Sequence, residues 1–211
     1  HIRSRRQRQM CIRDSLGDIV DRRKYINYVT LRHLKDNLIQ PLLDRKINFH
    51  VIIGNHDVPY KNTNDINSMA ELFDRHKVKY YSEPEVVTFD STDILFVPWI
   101  NTSNYAKSLD LIKTTNAQIC MGHLEIAGCT LMRGITSDHG ISIDTFKNFD
   151  IVCSGHFHTK STSNNVYYLG TQYELTWSDY QDPKGFHIFD TNTREIEMIR
   201  NPYRMFHKVF Y

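Results

Sequence analysis

From Leu16 onward the sequence predicts an α/β domain, and three observations predict it. Short apolar runs alternate with stretches of helical periodicity, the second half turns to strand-like runs between turn residues, and four glycine-containing polar clusters sit where apolar runs end. At 211 residues and 40% hydrophobic, the chain is long enough for one sizeable core. No apolar run approaches the roughly 18 residues of a membrane span, and no basic-then-apolar signal segment opens the chain, so a cytoplasmic protein with no membrane partner is expected. Cys11, Cys120, Cys129 and Cys153 show no CxxC pairing, which argues against a disulfide framework or a thiolate zinc site and for small reduced core residues.

The first fifteen residues differ from the rest. Five of the first thirteen are arginine, which by itself suggests a basic arm for nucleic acid. The stretch Arg5 to Asp14, RRQRQMCIRD, is however the translation of CGT CGG CAG CGT CAG ATG TGT ATA AGA GAC, a sequencing-library adapter ending in a transposon mosaic end. Residues 1–15 are therefore expected to be a non-native segment, with the domain over 16–211 incomplete at both ends. Removing five arginines and one aspartate turns 26 basic against 24 acidic residues into 21 against 23, and the net charge from +2 to −2. Composition then gives no argument for a polyanionic partner, and function must come from motifs.

Tyr25 to Leu43 carries Ile26, Val29, Leu34, Leu38 and Leu42 at spacings of three to five, predicting a helix that feeds a strand at Phe49 to Ile53. Asn64 or Asp65 can cap a short helix containing Met69, Leu72 and Phe73. Val86 to Phe89 and Ile94 to Val97 read as a hairpin turning at Ser91 and Thr92, and Tyr105 to Thr114 as a helix. Strands are expected at Gln118 to Met121 and Ile151 to Cys153, with a short helix near Thr145 between them. Val166 to Leu169, Phe186 to Phe189 and Glu195 to Ile199 follow as strands, and His207 to Tyr211 reads as one more.

The chemistry lies at the ends of these runs. Gly17-Asp18-Ile19-Val20-Asp21, Gly54-Asn55-His56-Asp57, Gly122-His123 and Gly155-His156-Phe157-His158 all fall at strand-to-loop junctions. In open α/β sheets such junctions build sites, and glycine lets the backbone turn so that the next side chain enters a shared cleft. Aspartate, asparagine and histidines without sulfur suit Mn(II), Fe(II) or Zn(II) better than calcium or a thiolate cluster. Gly17-Asp18 alone is a commonplace turn and Gly122-His123 alone an ordinary histidine. The strings GNHD and GHFH weigh more, because they place titratable groups directly after the buried-type runs HVII and DIVCS. His33, His50, His76, His139, His187 and His207 lack that context and are expected to be structural or surface residues.

In this order GDIVD, GNHD, GH and GHFH resemble the calcineurin-like metallophosphoesterases, over nearly all of Leu16 to Tyr211. Within that superfamily LGDIVDRRKYIN, VIIGNHDVPYKN, FVPWI, MGHLEIAG, SGHFHT and YLGTQYELTWSD with DPKGF are most similar to SbcD-type nuclease subunits in their T-even phage form. The resemblance implies a two-sheet α/β sandwich flanked by helices, two Mn(II) ions with iron, zinc or magnesium as alternatives, and exonuclease and endonuclease action on DNA in double-strand-break repair and recombination. It implies an SbcC-type ATPase partner, with a homodimer as a further assembly.

By the same resemblance, Asp18 would bridge both metals, Asn55, His123 and His156 would complete one shell, and His158 would bind the other ion. His56 would be the catalytic histidine, with Asp21 and Asp57 orienting neighbours from behind. One departure matters. The family begins with a strand ending in Asp-x-His, which supplies two ligands to the ion of His158, and no such motif precedes Gly17. An N-terminally truncated domain that holds one metal at best and cuts DNA poorly is the expectation. A small-molecule phosphodiesterase or phosphatase and an inactive scaffold are the competing readings.

Overall fold

Buried side chains alternate along the strands so as to fill two different cores. The computed structural model describes residues 12–74, 77–132 and 134–210, so Cys11 and His76 lie outside the described residues. In β5 (Thr92–Val97), Ile94 and Phe96 enter one cluster while Leu95 and Val97 enter another. β6 (Ile119–Gly122) and β11 (Ile151–Ser154) repeat the pattern, with Ile119, Met121, Ile151 and Cys153 on one side and Cys120 and Val152 on the other. A strand covered on both faces reads as a continuous apolar run, which is why these three were legible.

These strands centre a six-stranded mixed sheet of order β12-β13-β11-β6-β5-β4, completed by β4 (Glu85–Phe89), β12 (Ser161–Ser163) and β13 (Val166–Tyr168). A second, parallel sheet of order β1-β2-β3 comprises Ile12–Ser15, Asn48–Ile52 and Lys79–Tyr81. Ile52 and Tyr81 of the small sheet meet Phe89, Ile94, Phe96, Ile119 and Met121 of the large one. On the outer face of the small sheet, Phe49 and Val51 pack against Ile39, Leu42 and Met69 from helices. On the outer face of the large sheet, Leu95 and Cys120 pack with Ile112 of the helix Tyr105–Thr114. The result is the two-sheet sandwich flanked by helices that the resemblance implied. Short ribbons decorate it: β7 (Ile126–Ala127), β8 (Thr130–Met132), β9 (Ile135–Thr136) and β10 (Ile141–Ser142) pair as β7 with β10 and β8 with β9. β14 (Gly185–Phe189) pairs with β15 (Ile196–Arg200). No helix among the described residues is long and apolar enough to cross a membrane.

Ile12 to Ser15, within the segment expected to be non-native, pair in parallel with Asn48 to Val51. Ladder hydrogen bonds use backbone groups alone, so such pairing asks little of the side chains. Four expectations are corrected. The first helix begins at Tyr28, where Asn27 accepts from the Thr30 N–H, and runs through a π segment, Lys35–Ile39, into Gln40–Asp44. Pro41 has no N–H to return to the preceding turn, which accounts for the wider winding there. Ser68–Leu72 is capped by Asn67, not by Asn64 or Asp65, and the hairpin turns at Asp90 and Ser91, with Thr92 already paired to Phe89. Finally, residues 207–210 form no strand. Just before them, the Met205 and Phe206 N–H groups are taken up by the Glu174 carboxylate at 2.9 and 3.1 Å and not by a strand partner.

Candidate metal centre

Asp18 leaves the end of β1 through Gly17, whose φ of +100° favours glycine and where a Cβ would collide with Nδ1 of His123. A Cβ on Gly54 would likewise meet the Asp18 carboxylate. These two glycines let the GDIVD and GNHD loops touch. Asp57, 1% exposed, fastens them: its carboxylate accepts the N–H groups of Asp18 at 2.7 Å, Gly54 at 2.9 Å and Val20 at 3.3 Å, and the Ser68 hydroxyl at 3.1 Å. Burial pushes the Asp57 carboxyl up, and the nearby Asp18 charge adds to this against the Gly54 N–H. The Asp18 carboxylate in turn accepts the His56 N–H at 2.7 Å.

His123 follows β6 and is 1% exposed. Its Nδ1 donates to the Leu16 carbonyl at 2.7 Å, which fixes the ring and turns Nε2 inward. There Nε2 lies 2.8 Å from Asn55 Oδ1, 3.2 Å from His156 Nδ1 and 3.3 Å from Asp18 Oδ2. Asn55 Oδ1 lies 3.0 Å from His156 Nδ1. Asp18, His123 and His156 form a group able to hold one ion, and Asn55 adds a fourth donor. Ligands at about 2.0–2.2 Å from an ion sit about 2.8–3.6 Å from each other in octahedral or tetrahedral geometry, so the residues present fit a divalent cation. Four lone-pair atoms facing one point repel unless a cation or protons lie between them.

The titration behaviour shows the same thing. Burial opposes the Asp18 charge, but the hydrogen bond and charge of His123 outweigh it and hold the carboxyl below its ordinary range. Burial opposes the His123 imidazolium, yet Asp18 raises its pKa. His156 falls to about 4 through burial first and repulsion from His123 second. Asp18 and His123 thus each favour the other's charged form.

His56 stands half-buried at the rim, its Nδ1 2.6 Å from the Asp21 carbonyl. That corrects the expected role of Asp21: its carboxylate is 92% exposed beside Arg22, and its backbone oxygen orients the imidazole instead. Asp57 likewise orients backbone N–H groups, not an imidazole. His158 is not in the cluster; its side chain is 45% exposed, with Nδ1 4.0 Å from Asp179. His50, by contrast, is a core histidine bonded to the Tyr81 hydroxyl at 2.7 Å. Sequence reasoning missed Arg23, which lies over the Trp99 ring at 5.5 Å, and the buried asparagines that hold Trp99. The signal was position alone, Arg23 standing two residues after GDIVD and Trp99 within FVPWI.

The family model for calcineurin-like phosphoesterases matches residues 15–160. Exonuclease subunit 1 of Enterobacteria phage T4 is 42% identical over 186 residues, covering 88% of this chain and 54% of the phage protein. The chain thus spans about half the length of that relative.

Proposed function

The chain belongs to the calcineurin-like phosphoesterase family, and from that premise we propose that it is the nuclease module of an SbcCD-type complex, hydrolysing DNA phosphodiesters with Mn(II). The observation that carries the reading is the convergence of Asp18, Asn55, His123 and His156 from four separate loops, with His56 at the rim. The phage relative is named as a subunit of an exonuclease, which supports DNA as substrate and a second subunit, of the SbcC-type ATPase kind, as partner.

Asp18, Asn55, His123 and His156 would hold the ion. Bound there, a divalent cation supplies charge neutralisation for the scissile phosphate and a lowered pKa for attacking water. The protein's part is to hold the donors still: the Leu16 carbonyl sets His123, and Asp57 sets the loop of Asp18. With Nδ1–H of His56 committed to the Asp21 carbonyl, Nε2 is the ring atom left to face the leaving oxygen, and only after it has taken up a proton from solvent could it pass that proton on.

The test pairs binding with turnover. Calorimetry should show Mn(II) binding, and a linear duplex should be shortened in Mn(II) and not at all in chelator. Turnover of a nucleotide ester with an untouched duplex would move the reading to a small-molecule phosphodiesterase, and absence of Mn(II) binding would end it.

A further inference from the structure

Between Tyr173 and Trp177 only Glu174 turns inward, and the neighbouring side chains stay exposed. The segment that follows β15 lies along this stretch: the Asn201 amide donates to the Gln172 carbonyl at 2.8 Å, and the Met205 and Phe206 N–H groups donate to the Glu174 carboxylate. Phe206 is thereby brought to the Trp177 ring, with centroids 4.7 Å apart, and Tyr180 approaches the same ring at 6.0 Å. Even within this cluster Trp177 remains 58% exposed. Tryptophan is among the more deeply buried residues on average, so an indole left in water beside two other rings marks a binding surface.

The charges around the rings select the partner. The acids of this region are buried and occupied: Glu174 accepts three backbone N–H groups, from Gln181, Met205 and Phe206, and Asp179 and Asp182 lie beside the buried Lys184. The cations face out. Arg200, Arg204 and Lys208 are exposed, the stretch RNPYRMFHK that contains them has no acid, and Lys208 Nζ lies 4.9 Å from the centre of the Tyr180 ring. Aromatic faces interleaved with cations suit unpaired nucleotides, whose bases stack on rings and whose phosphates meet the positive charge. An apolar protein surface would leave the three cations without counter-charge, and a base paired within a duplex has no free face to offer.

The surface is pinned to the metal centre. Trp177 opens the short turn Trp177–Asp179, in which Asp179 lies 4.0 Å from His158 Nδ1. Lys184 Nζ donates both to the Asp179 carboxylate at 2.8 Å and to the His158 carbonyl at 2.7 Å, and so ties this turn to the GHFH loop that carries His156. We propose that Trp177, Tyr180 and Phe206, flanked by Arg204 and Lys208, form a stacking platform for the unpaired bases of a single DNA strand, along which that strand is led to the metal centre. The proposal rests on the nuclease reading above and adds to it the form of the substrate, a strand that is frayed or single where it meets the protein.

The experiment uses the whole chain in chelator, where no strand is cut, and follows the anisotropy of a labelled thymidine oligonucleotide of about twelve nucleotides, a length within the usual site sizes. An abasic strand of the same length and charge serves as the comparison. The parent should bind the thymidine strand at least tenfold tighter than the abasic one, the gain expected from one stacked base. Trp177→Ala should erase that preference and Trp177→Phe should keep most of it, while Lys208→Gln should weaken both strands alike, by about threefold. A blunt duplex should bind the parent and Trp177→Ala equally. No preference for bases in the unaltered chain, a measurement that needs no substitution, would overturn the platform, and so would a preference that survives Trp177→Ala in a folded variant. Self-association abolished by Trp177→Ala, without any base preference, would make the surface a protein interface and overturn it too. In those three cases Mn(II) uptake with cutting of a duplex leaves the nuclease reading standing. Failure of the unaltered chain to take up Mn(II) would overturn that reading, and with it the platform's part as a guide to the metal centre.

Discussion

The two histidines of GHFH stand two residues apart and live in different surroundings. His156 faces a closed set of donors, with Asn55 and His123 within 3.2 Å. His158 faces outward near a buried ion pair, and its backbone carbonyl accepts from Lys184 Nζ at 2.7 Å. The inner region is held by glycines, a buried carboxylate and a backbone carbonyl, which together bring the lone pairs of Asp18, Asn55, His123 and His156 to one point. The outer region satisfies its own charges: Lys184 and Asp179, 3% and 2% exposed, meet at 2.8 Å, and Asp182 is a further neighbour. One region is arranged to take up an ion, the other to hold the chain together. Substitutions should therefore separate metal affinity from stability.

The largest effect is expected in the outer region. Lys184→Met leaves Asp179 buried beside no cation, and breaking such a pair destabilises by about 3–5 kcal/mol. Denaturant unfolding should register the loss, while Mn(II) affinity of the surviving folded protein stays within about threefold. A large fall in affinity with little change in stability would erase the distinction between the regions.

The converse substitution is Asp18→Asn. It removes the one carboxylate among the four donors, and about a hundredfold weaker Mn(II) binding is expected, near 2.7 kcal/mol. The unfolding midpoint should change little, since an amide oxygen can still accept the His56 N–H. Calorimetry on the pair Asp18→Asn and His158→Gln sharpens the contrast: the second should lose no more than about threefold.

How far the sequence showed this site depended on whether a residue acts through its side chain near its own strand. Asp18, Asn55, His123 and His156 could be read because each follows an apolar run at a strand end, where a buried polar group needs a partner. Asp21 misled because its carbonyl, not its carboxylate, does the orienting, and no residue type announces that. Arg23, Asn64 and Asn101 were silent because partners that matter here lie 30 or more positions away. The strands at the centre of the large sheet showed in their apolar runs, whereas β3, β12 and the ribbons β7 to β10 are two or three residues long, too short for any periodicity. The pairing of Ile12 to Ser15 was hidden for a different reason, since a ladder formed by backbone atoms leaves no side-chain signature.

The smallest expected effect compares a third imidazole with the other two. His50 is as buried as His123 but is surrounded by Tyr81, Phe89 and Phe96, with Nδ1 bonded to the Tyr81 hydroxyl. It has no carboxylate to hold a proton, and burial, with a smaller push from Lys79, lowers its pKa from 6.5 to about 4. The sign follows from linkage: above pH 6.5 the ring is neutral in both folded and unfolded chains, and stability is unaffected. As pH falls from 6.5 towards 4 the unfolded chain takes up a proton that the folded chain refuses, so stability declines by about 1.4 kcal/mol at pH 5.5. In Mn(II)-free buffer the difference in unfolding free energy between pH 7 and pH 5.5 should therefore shrink in His50→Phe, a ring that suits the same aromatic cluster. An unchanged difference would mean that the acid sensitivity belongs elsewhere, in the first place to the inner cluster of Asp18 and His123, and that His50 titrates no differently folded than unfolded.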